Sequence, residues 1–440
     1  MKPAPGTVET TSWSRFPRTR SRVIELQTTD QPIPFAETKT SFLPYGMGRS
    51  LGDSCLNDGN TILKTAALNR QISFDAASGV LRAEAGITFD AILRLAIPHG
   101  WFLPVTPGTR FVTLGGAIGN DVHGKNHHRE GTFGRHVLRL ALRRSDGSTR
   151  ICSPTENAEW LRATIGGLGL TGLITWAEIQ LKPIRNSWLD AENIRYGSLS
   201  DFYALSDESV NSHEYVVAWV NTLSARGRAP GVFFRGNHNR NASDAELVAP
   251  SGPQVTVPGV LPVSILNRVT LGVFNAAYSG LRPRVARART ALGPFFYPLD
   301  GIGEYHRLYG PGGMIQWQAL VPSRDAAGAL LAESRKVGPS FLSVMKVMGD
   351  LPAAGLLSFS GRGVTIALDF PYDRQVIETL PRLDELVAEA GGRLYPAKDA
   401  RMAGRHFRRF YPQWEELVPY IDPKFSSSFW RRVTAPDQER

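Results

Sequence analysis

The chain has 440 residues, of which 42% are hydrophobic and 20% are charged. This composition excludes a disordered protein, and the length exceeds what one ordinary hydrophobic core needs. The formal net charge of +10 and the pI near 9.7 favour acidic partners, such as phosphorylated small molecules or an anionic membrane. Nucleic acid is not expected, because the sequence has no helix-turn-helix, zinc-finger spacing or basic strand interleaved with aromatic residues. Cys55 and Cys152 are too few for a disulfide framework and match no metal-ligand spacing.

The sequence carries no segment of the kind that inserts into a membrane. Its first stretch, MKPAPGTVETTSWSRF, has no apolar signal core. No apolar run reaches the ~20 residues that span a bilayer. We therefore expect a cytoplasmic protein that is at most peripheral at the inner face of the membrane.

From residue 41 to residue 184, short β-type runs alternate with glycine turns. The pattern predicts a strand at 61–65 and a hairpin in which 71–75 pairs with 80–85. A helix should follow from the N-cap Thr88 to residue 97, because apolar residues recur on one face. These residues are Phe89, Ile92, Leu93 and Ala96.

A glycine-rich loop at 44–54 (PYGMGRSLGDS) is the first candidate for ligand binding. Three glycines, an arginine and a serine in so short a loop can present several backbone N–H groups to one anion. Pyrophosphate is the usual ligand of such a loop. The alternative is a tight turn between two strands.

A second glycine-rich run, 107–125, ends on His123 and Lys125. Backbone that lacks Cβ atoms can lie flat against a planar ring system. A histidine beside a lysine in such a turn favours a ligand site over a core histidine. His127 and His128 follow, but no carboxylate or cysteine completes a zinc ligand set, so we predict no metal.

The run 167–172 (GLGLTG) matches the G-x-G-x-x-G fingerprint of dinucleotide-binding proteins. That fingerprint must follow a strand and open a helix. Here a helical pattern at 156–165 precedes the run, and a strand pattern at 173–181 follows it. Because the order is reversed, we expect neither a Rossmann loop nor a nicotinamide-dependent dehydrogenase.

From residue 185 to residue 391, the glycine clusters thin out and longer elements are predicted. The strands are expected at 216–220, 315–321 and 364–370, and the helices at 326–336 and 376–390. An aromatic, basic helix is expected around 406–420.

The stretch 250–289 stands apart from the rest of the sequence. It begins Pro/Gly/Val-rich, continues through an apolar run and ends in Arg282, Arg284, Arg287 and Arg289. One interpretation is a mobile surface excursion whose charges are solvated. The other is a membrane-facing segment, because apolar patches flanked by arginines suit anionic lipid headgroups.

Together these motifs resemble the FAD-binding domain of the vanillyl-alcohol-oxidase (PCMH-type) family of FAD-linked oxidases. In that family the isoalloxazine and the pyrophosphate lie along such loops rather than over a Rossmann helix. The similarity covers most of the chain and is greatest to the decaprenylphosphoryl-β-D-ribose 2-oxidases. It is carried, in order, by GMGRSLGDS, PGTRFVTLGGAIGNDVHGKNHH, GGLGLTGLI, FFYPLDGIGEYHRLYGPGG, IQWQ, ALDFP, GGRLYPAKDAR and DPKFSSSFWRR.

The resemblance implies an α+β fold of two domains. A discontinuous FAD-binding domain would comprise 1–186 and 393–440, and an antiparallel-sheet substrate domain, 187–392, would be inserted between its parts. The resemblance also implies which residues contact FAD: Tyr45, Gly46, Met47, Gly48, Arg49, Ser50, Leu51, Gly52, Asp53, Ser54, Gly108, Thr113, Leu114, Gly115, Gly116, Asn120, Asp121, Val122, His123, Ile174 and Tyr395.

On the substrate side, the resemblance implies Lys398 and His123 as catalytic residues. A partly desolvated lysine beside bound flavin has a lowered pKa, which suits Lys398 to handle a hydroxyl proton. Pairing of Lys398 with Asp399 or a substrate phosphate is the alternative. Gln316 and Gln318 alternate along one predicted strand, so they share a face and can grip sugar hydroxyls. The substrate-binding residues implied are Lys125, Tyr309, Gln316, Gln318 and Asp369.

Three positions depart from the family. Asp53 stands where some flavoproteins link FAD to a histidine, and a carboxylate cannot form that bond, so we predict non-covalent FAD. Leu51 replaces a frequent tyrosine and Ala367 a frequent cysteine. These two changes leave the identity of the substrate open.

The reaction that the resemblance implies is oxidation of a secondary alcohol, the 2′-hydroxyl of a polyprenyl-phosphoryl pentose, by hydride transfer to flavin N5. The keto sugar would be the product of the first half of an epimerisation, so a short-chain dehydrogenase/reductase partner should reduce it. The alternative is an aldonolactone or alditol oxidase that acts on a soluble sugar derivative. A non-enzymatic binder of anionic lipid or nucleic acid is a further alternative, but it has no need of the glycine clusters.

Overall fold

The computed structural model describes residues 6–224, 228–241, 246–280 and 283–436, so Arg282 lies outside the described residues. Within these ranges the strands are β1 (Val8–Thr11), β2 (Arg18–Glu25), β3 (Phe42–Tyr45), β4 (Thr61–Lys64), β5 (Gln71–Asp75), β6 (Val80–Glu84), β7 (Trp101–Phe102), β8 (Val137–Arg143), β9 (Thr149–Cys152), β10 (Leu173–Gln180), β11 (Lys182–Pro183), β12 (Trp188–Tyr196), β13 (Tyr215–Val220), β14 (Gly231–His238), β15 (Val255–Thr256), β16 (Val285–Ala291), β17 (Ile302–Gly303), β18 (Met314–Val321), β19 (Ser343–Met348), β20 (Gly363–Pro371) and β21 (Arg393–Leu394).

The helices are α1 (Phe89–Ala96), α2 (Leu114–Gly119), α3 (His127–Glu130), α4 (Ala158–Thr164), α5 (Leu199–Ser209), α6 (Arg268–Gly280), α7 (Leu292–Phe296), α8 (Arg324–Val337), α9 (Arg374–Glu389), α10 (Gly404–Phe410), α11 (Trp414–Leu417) and α12 (Ser428–Thr434). Short 3₁₀ turns connect several of them, including Pro396–Lys398 and Val418–Tyr420.

The strands form sheets of different kinds. A mixed sheet has the order β1-β2-β4-β3, with β2 and β3 parallel to β4. A second, antiparallel sheet has the order β5-β6-β10-β8-β9. The large sheet, also antiparallel, has the order β16-β12-β14-β13-β19-β20-β18-β21. The predicted α+β class with a large antiparallel sheet is confirmed.

Most elements follow from their local sequence. The Thr88 hydroxyl accepts a hydrogen bond from the Ala91 backbone at 3.2 Å and caps α1, whose predicted apolar face is buried. The reversed order around 167–172 is also as predicted, because α4 precedes this turn and β10 follows it. The single helix expected at 406–420 is wrong. Pro412 cannot continue a helix, so the chain forms α10, then α11 and a 3₁₀ turn.

The last part of the described chain packs against both the large sheet and the second sheet. Phe407 of α10 and Phe429 of α12 lie in the same hydrophobic core as Leu383 of α9 and the inner face of the large sheet. Arg144, which follows β8 of the second sheet, pairs with buried Asp422 at 3.3 Å. This segment therefore fastens the two sheets to each other.

The stretch 250–289 contains β15 and α6, and its last residues enter β16, the edge strand of the large sheet. β15 pairs in parallel with β17, which anchors the beginning of the stretch. Among the described residues, no helix combines the length and the apolar character needed to cross a membrane.

Candidate active site

A cavity of about 550 Å³ opens between the glycine-rich loops and the large sheet. One wall consists of backbone from the loop after β3 and from the run that leads into α2. The opposite wall consists of side chains from β18, β19 and β20. Of the residues predicted to contact FAD, those that line the cavity are Gly46, Met47, Gly48, Arg49, Ser50, Leu51, Ser54, Gly108, Thr113, Gly115, Gly116, Asn120, Val122, His123, Ile174 and Tyr395.

The other predicted FAD contacts lie behind this lining. The Tyr45 hydroxyl donates to the Thr11 carbonyl at 2.9 Å, which points it away from the cavity. Gly52 packs so tightly on the Asp399 carbonyl that a Cβ atom would overlap it. Leu114 is fully buried in the core beneath α2. Asp121 is also fully buried, and it accepts from the Gly134 backbone at 2.9 Å and from Ser358.

Asp53 belongs to a buried ion-pair cluster rather than to the cavity lining. Its carboxylate accepts from Arg432 of α12 through both oxygens, at 2.6 and 3.0 Å. The same guanidinium donates to Asp399 at 2.9 Å. A bidentate arginine–carboxylate pair fixes both partners in orientation. The structure therefore gives Asp53 the position of an anchor for the loop 46–55.

The glycine run at 167–172 lines the cavity, although it is not a Rossmann loop. Gly169 adopts φ +76°, a left-handed conformation that favours glycine, and it lies against Pro44. The sequence prediction missed this lining, together with Trp13, Thr109 and Phe111. Trp13 had no signal in the sequence, because its packing on Arg49 joins residues that are far apart in the chain.

The loop side of the cavity suits a flat, anionic cofactor. Arg49 lies 3.7 Å from the centre of the Trp13 ring, and its buried Nε has no hydrogen-bond partner within the described part of the chain. The buried Ser54 hydroxyl also lacks a partner there. Buried polar atoms are normally paired, so these two donors indicate a ligand with acceptor atoms. At Gly108 no atom lies within 4 Å of the position of a Cβ, so its backbone faces open space.

The opposite wall carries the predicted polar side chains. Gln316 and Gln318 of β18 both line the cavity, as predicted from their alternation, and Ala367 of the neighbouring β20 lies beside them. Lys398, in the 3₁₀ turn after β21, lines the cavity as well. Gln316 donates to the fully buried Asp369, which stands behind it on β20.

The charges on this wall are shifted by burial. Desolvation lowers the pKa of Lys398 to about 8, although the carboxylate of Asp369 opposes the shift. Desolvation likewise raises the pKa of Asp369 to about 7, with Gln316 and Lys398 acting against it. A lysine and an aspartate whose pKa values are moved toward neutrality are suited to acid–base chemistry.

His123 connects the two walls. Its Nε2 lies 3.1 Å from Gln318 Nε2, and its Nδ1 lies 3.2 Å from the Nζ of Lys346 on β19. Burial lowers the pKa of His123 well below its ordinary value, so the ring is neutral. The sequence prediction missed Lys346. The available signal was a lysine in the middle of an otherwise apolar strand, SVMKVM.

Three predicted substrate contacts lie outside the cavity lining, namely Asp369, which stands behind Gln316, and Lys125 and Tyr309. The Lys125 ammonium donates to the carbonyls of Phe295 and Phe296 at 2.7 and 3.0 Å. Tyr309 is buried with Leu51 and Met314 in a small hydrophobic cluster. The structure therefore brings His123, Gln316, Gln318 and Lys398 together, but neither Lys125 nor Tyr309.

Comparison with known proteins shows that the chain contains a FAD-binding domain. Residues 34–153 match the family described as FAD binding domain. These residues include both glycine-rich loops of the cavity. The protein is a FAD-dependent oxidoreductase.

The similarity to individual proteins extends well beyond that domain. Over 405 residues, the chain is 34% identical to decaprenylphosphoryl-beta-D-ribose oxidase of Mycolicibacterium smegmatis, covering 88% of each protein. It is 33% identical to an uncharacterized protein in the mprA 5′ region of Streptomyces coelicolor, over 79% of this chain and all of that one. L-gulonolactone oxidase of Mus musculus is 29% identical over 31% of each chain. The chain belongs to the FAD-linked oxidase family that includes decaprenylphosphoryl-β-D-ribose oxidase.

Proposed function

We propose that the protein oxidises the 2′-hydroxyl of a polyprenyl-phosphoryl pentose to the keto sugar, as the first half of an epimerisation. The observation that carries the proposal is the convergence of Lys398, His123 and Gln318 on the cavity that the FAD loops line. The similarity to decaprenylphosphoryl-β-D-ribose oxidase supports the substrate class. The net charge of +10 supports a phosphate-bearing substrate.

We propose that 1–186 and 393–440 hold the cofactor and that 187–392 covers the substrate. The division is supported by the cavity, whose loop wall comes from the first part and whose strand wall comes from the inserted part. Tyr395 and Lys398 follow β21 and bring the chain back to the cavity floor.

Lys398 is the group proposed to take the hydroxyl proton. With its pKa lowered to about 8, a substantial fraction of the side chain is an uncharged amine at neutral to mildly alkaline pH. The chemistry that bound FAD supplies is acceptance of the hydride from the carbon that carries the hydroxyl. The carboxylate of Asp369 behind the wall stabilises the lysine after it has gained the proton.

Gln316, Gln318 and His123 are proposed to orient the sugar. The two amides project from the same face of β18, and each is held from behind, by Asp369 and by Thr365. Held side chains lose little conformational entropy on binding, so they can select one sugar orientation. Lys125 and Tyr309 lie outside the cavity lining and are not proposed to touch the sugar.

The FAD is proposed to be releasable. Asp53 cannot form a histidyl link, and it is engaged by Arg432. Cys55 lines the cavity, but burial raises the pKa of its thiol to about 12. Only the thiolate is a competent nucleophile, so this sulfur does not attack the flavin ring at neutral pH.

The polyprenyl tail is proposed to leave the cavity along the stretch 250–289, which then contacts an anionic membrane. Pro253 and Thr256 line the cavity from this stretch. Of the 17 exposed large apolar side chains among the described residues, eight lie in this stretch: Val255, Val260, Val263, Ile265, Val269, Val273, Phe274 and Val285.

Exposed apolar residues at this density mark an interaction surface. Val269 and Val273 are one helical turn apart on α6 and are 75% and 67% exposed. Sedimentation with phosphatidylglycerol vesicles, compared with phosphatidylcholine vesicles, tests the membrane contact. The double variant V269D/V273D should lose vesicle binding while V210D, at an exposed valine elsewhere, retains it.

A short-chain dehydrogenase/reductase is proposed to act on the product. Oxidation leaves a ketone, and inversion of that carbon requires its reduction from the other face. The partner would therefore supply the hydride for the second half of the epimerisation.

The substrate is tested by mixing the holoenzyme with candidate sugars in the absence of oxygen. Reduction of the bound flavin is measured as the loss of its absorbance. Polyprenyl-phosphoryl pentoses should bleach the holoenzyme, and free aldonolactones and alditols should not. Bleaching by the soluble sugars alone would favour the aldonolactone or alditol oxidase, an alternative supported by the similarity to L-gulonolactone oxidase.

A further inference from the structure

The turn that carries Lys398 is hydrogen-bonded to the glycine-rich loop after β3. On one side of Lys398, the Ala397 carbonyl accepts from the backbone N–H of Leu51 at 2.8 Å. On the other side, the Asp399 carbonyl accepts from the backbone N–H of Asp53 at 3.2 Å. Lys398 thus stands between two contacts with the loop, so a shift of the loop would also displace the lysine.

One guanidinium joins the side chains at this junction. Asp53 of the loop and Asp399 of the turn are both buried, at 4% and 6% exposure. The Nη2 of Arg432 donates to both carboxylates, at 2.6 and 2.9 Å, and its Nε donates to Asp53 at 3.0 Å. The third nitrogen, Nη1, donates to the Met402 carbonyl beyond the turn. Arg432 therefore holds the loop and the turn at the same time.

Without this guanidinium, the two carboxylates would oppose the junction. Like charges that share a buried site repel each other, and removing one partner of a buried ion pair leaves an uncompensated charge. Asp399 also accepts from the backbone N–H groups of Arg401 and Met402, which keeps its carboxylate within the turn. Loss of Arg432 is therefore expected to separate the loop from the turn rather than to unfold the turn.

We propose that Arg432 is a positioning residue, which fixes Lys398 relative to the loop 46–55 and thereby relative to the cofactor. The inference rests on the role proposed above for Lys398. Removal of the lysine side chain leaves the link intact, because the backbone of the turn and the carboxylate of Asp399 remain. Loss of Arg432, by contrast, would reach both walls of the cavity.

The test is a double-mutant cycle on the rate of flavin reduction. The FAD-saturated wild-type enzyme and the variants R432Q, K398A and R432Q/K398A are mixed anaerobically with a polyprenyl-phosphoryl pentose in a stopped-flow instrument. R432Q should slow reduction about tenfold to hundredfold, the effect of misplacing a catalytic group by about 1 Å. In the K398A background the same change should have little further effect, because the group that Arg432 positions is already absent. An equal loss in both backgrounds, or a normal rate in K398A, would overturn the proposal.

Suppression of the defect provides a readout that a general loss of stability would not give. If the two carboxylates repel each other in R432Q, neutralising one of them should bring the loop back to the turn. The double variant D53N/R432Q should therefore reduce its flavin faster than R432Q does. R405Q, at an exposed arginine of α10 that pairs with Glu385, is the control and should leave the rate unchanged. A double variant as slow as R432Q would contradict the bridging role.

Amide hydrogen exchange tests the link without any substrate. FAD added to the wild-type apoprotein should slow exchange in the segment 396–402, where the Arg401 and Met402 amides donate to Asp399. In R432Q, FAD should still protect the loop 46–55 but should no longer protect this segment. A wild-type segment that FAD does not protect would overturn the link.

The two experiments separate this proposal from the proposed function. If FAD protects the segment through Arg432 but no pentose bleaches the flavin, the proposed function fails and the link stands. Should R432Q not fold, D53N breaks the loop side of the bridge alone and is measured in the same two ways. Exchange and reduction rates of D53N equal to those of the wild-type enzyme would then contradict the proposal.

Discussion

The two walls of the cavity are built on different principles. The loop wall presents backbone and small residues to the cavity, and its shape depends on glycines such as Gly46 and Gly169. The strand wall presents side chains whose protonation is shifted by burial, above all Lys398 and Asp369. The difference teaches that cofactor binding depends on the shape of the backbone, whereas the reaction of the substrate depends on the pKa values of side chains. Damage to one wall should therefore be separable from damage to the other.

The largest effect is expected from removing the lysine of the strand wall. Lys398→Ala should reduce turnover about 10²- to 10⁴-fold, the range for loss of a general base. FAD content should stay full, because the loop wall is intact. Stopped-flow reduction of the flavin measures the rate, and Lys336→Ala is the matched surface control. Normal turnover in a fully loaded Lys398→Ala enzyme would remove this lysine from the mechanism.

A complementary change breaks the loop wall alone. A Cβ at Gly46 would overlap the Thr113 hydroxyl, so Gly46→Ala should shift the loop and weaken FAD binding. If the overlap costs about 1–3 kcal/mol, the affinity for FAD should fall roughly tenfold to hundredfold. Titration of apoprotein with FAD measures this loss. Gly259→Ala, where no atom lies within 4 Å of the new Cβ, should bind FAD normally.

A smaller effect is expected from the polar grip of the strand wall. Gln318→Ala removes a hydrogen-bonding amide without touching the cofactor, so KM should rise about tenfold. The flavin spectrum should be unchanged. Steady-state kinetics on the polyprenyl-phosphoryl pentose provides the measurement, and an effect on FAD affinity instead would mean that the two walls are not separable.

The subtlest change is in the pH dependence. Turnover should rise with pH and level off above the pKa of Lys398, about 8, since the uncharged amine is the active form. The anion of Asp369 raises the pKa of Lys398, so Asp369→Asn should lower that pKa and move the rising limb to lower pH. A pH–rate profile of both enzymes checks the direction. An unmoved limb would show that Asp369 does not influence the lysine.

The loop wall could be predicted from the sequence far better than the strand wall. Glycine clusters at 44–54 and 107–125 are local patterns, and the cavity uses most of their residues. Gln316 and Gln318 were predictable because alternation on a strand is also local. Lys346 was not, because its contact with His123 joins residues 223 positions apart in the chain.

Burial of polar groups was likewise beyond the sequence. Lys125 was itself predicted to bind the substrate, yet its ammonium donates to the carbonyls of Phe295 and Phe296. Asp53 lies within a ligand-binding loop, yet its partner is Arg432. In each case the hydrogen-bond or ion-pair partner comes from an element that is distant in the sequence. Residue type alone does not reveal which polar side chains will be paired with such a partner.

The pair of Asp53 and Arg432 has a consequence for biosynthesis. The two residues are separated by 379 positions. Arg432 is therefore translated only after the loop 46–55 and the rest of the loop wall have been synthesised. Until Arg432 has been translated, the carboxylate of Asp53 lacks the ion pair that anchors it in the folded protein. Cofactor capture should therefore be a late event in the life of the nascent chain, following translation of residue 432 rather than accompanying synthesis of the glycine-rich loops.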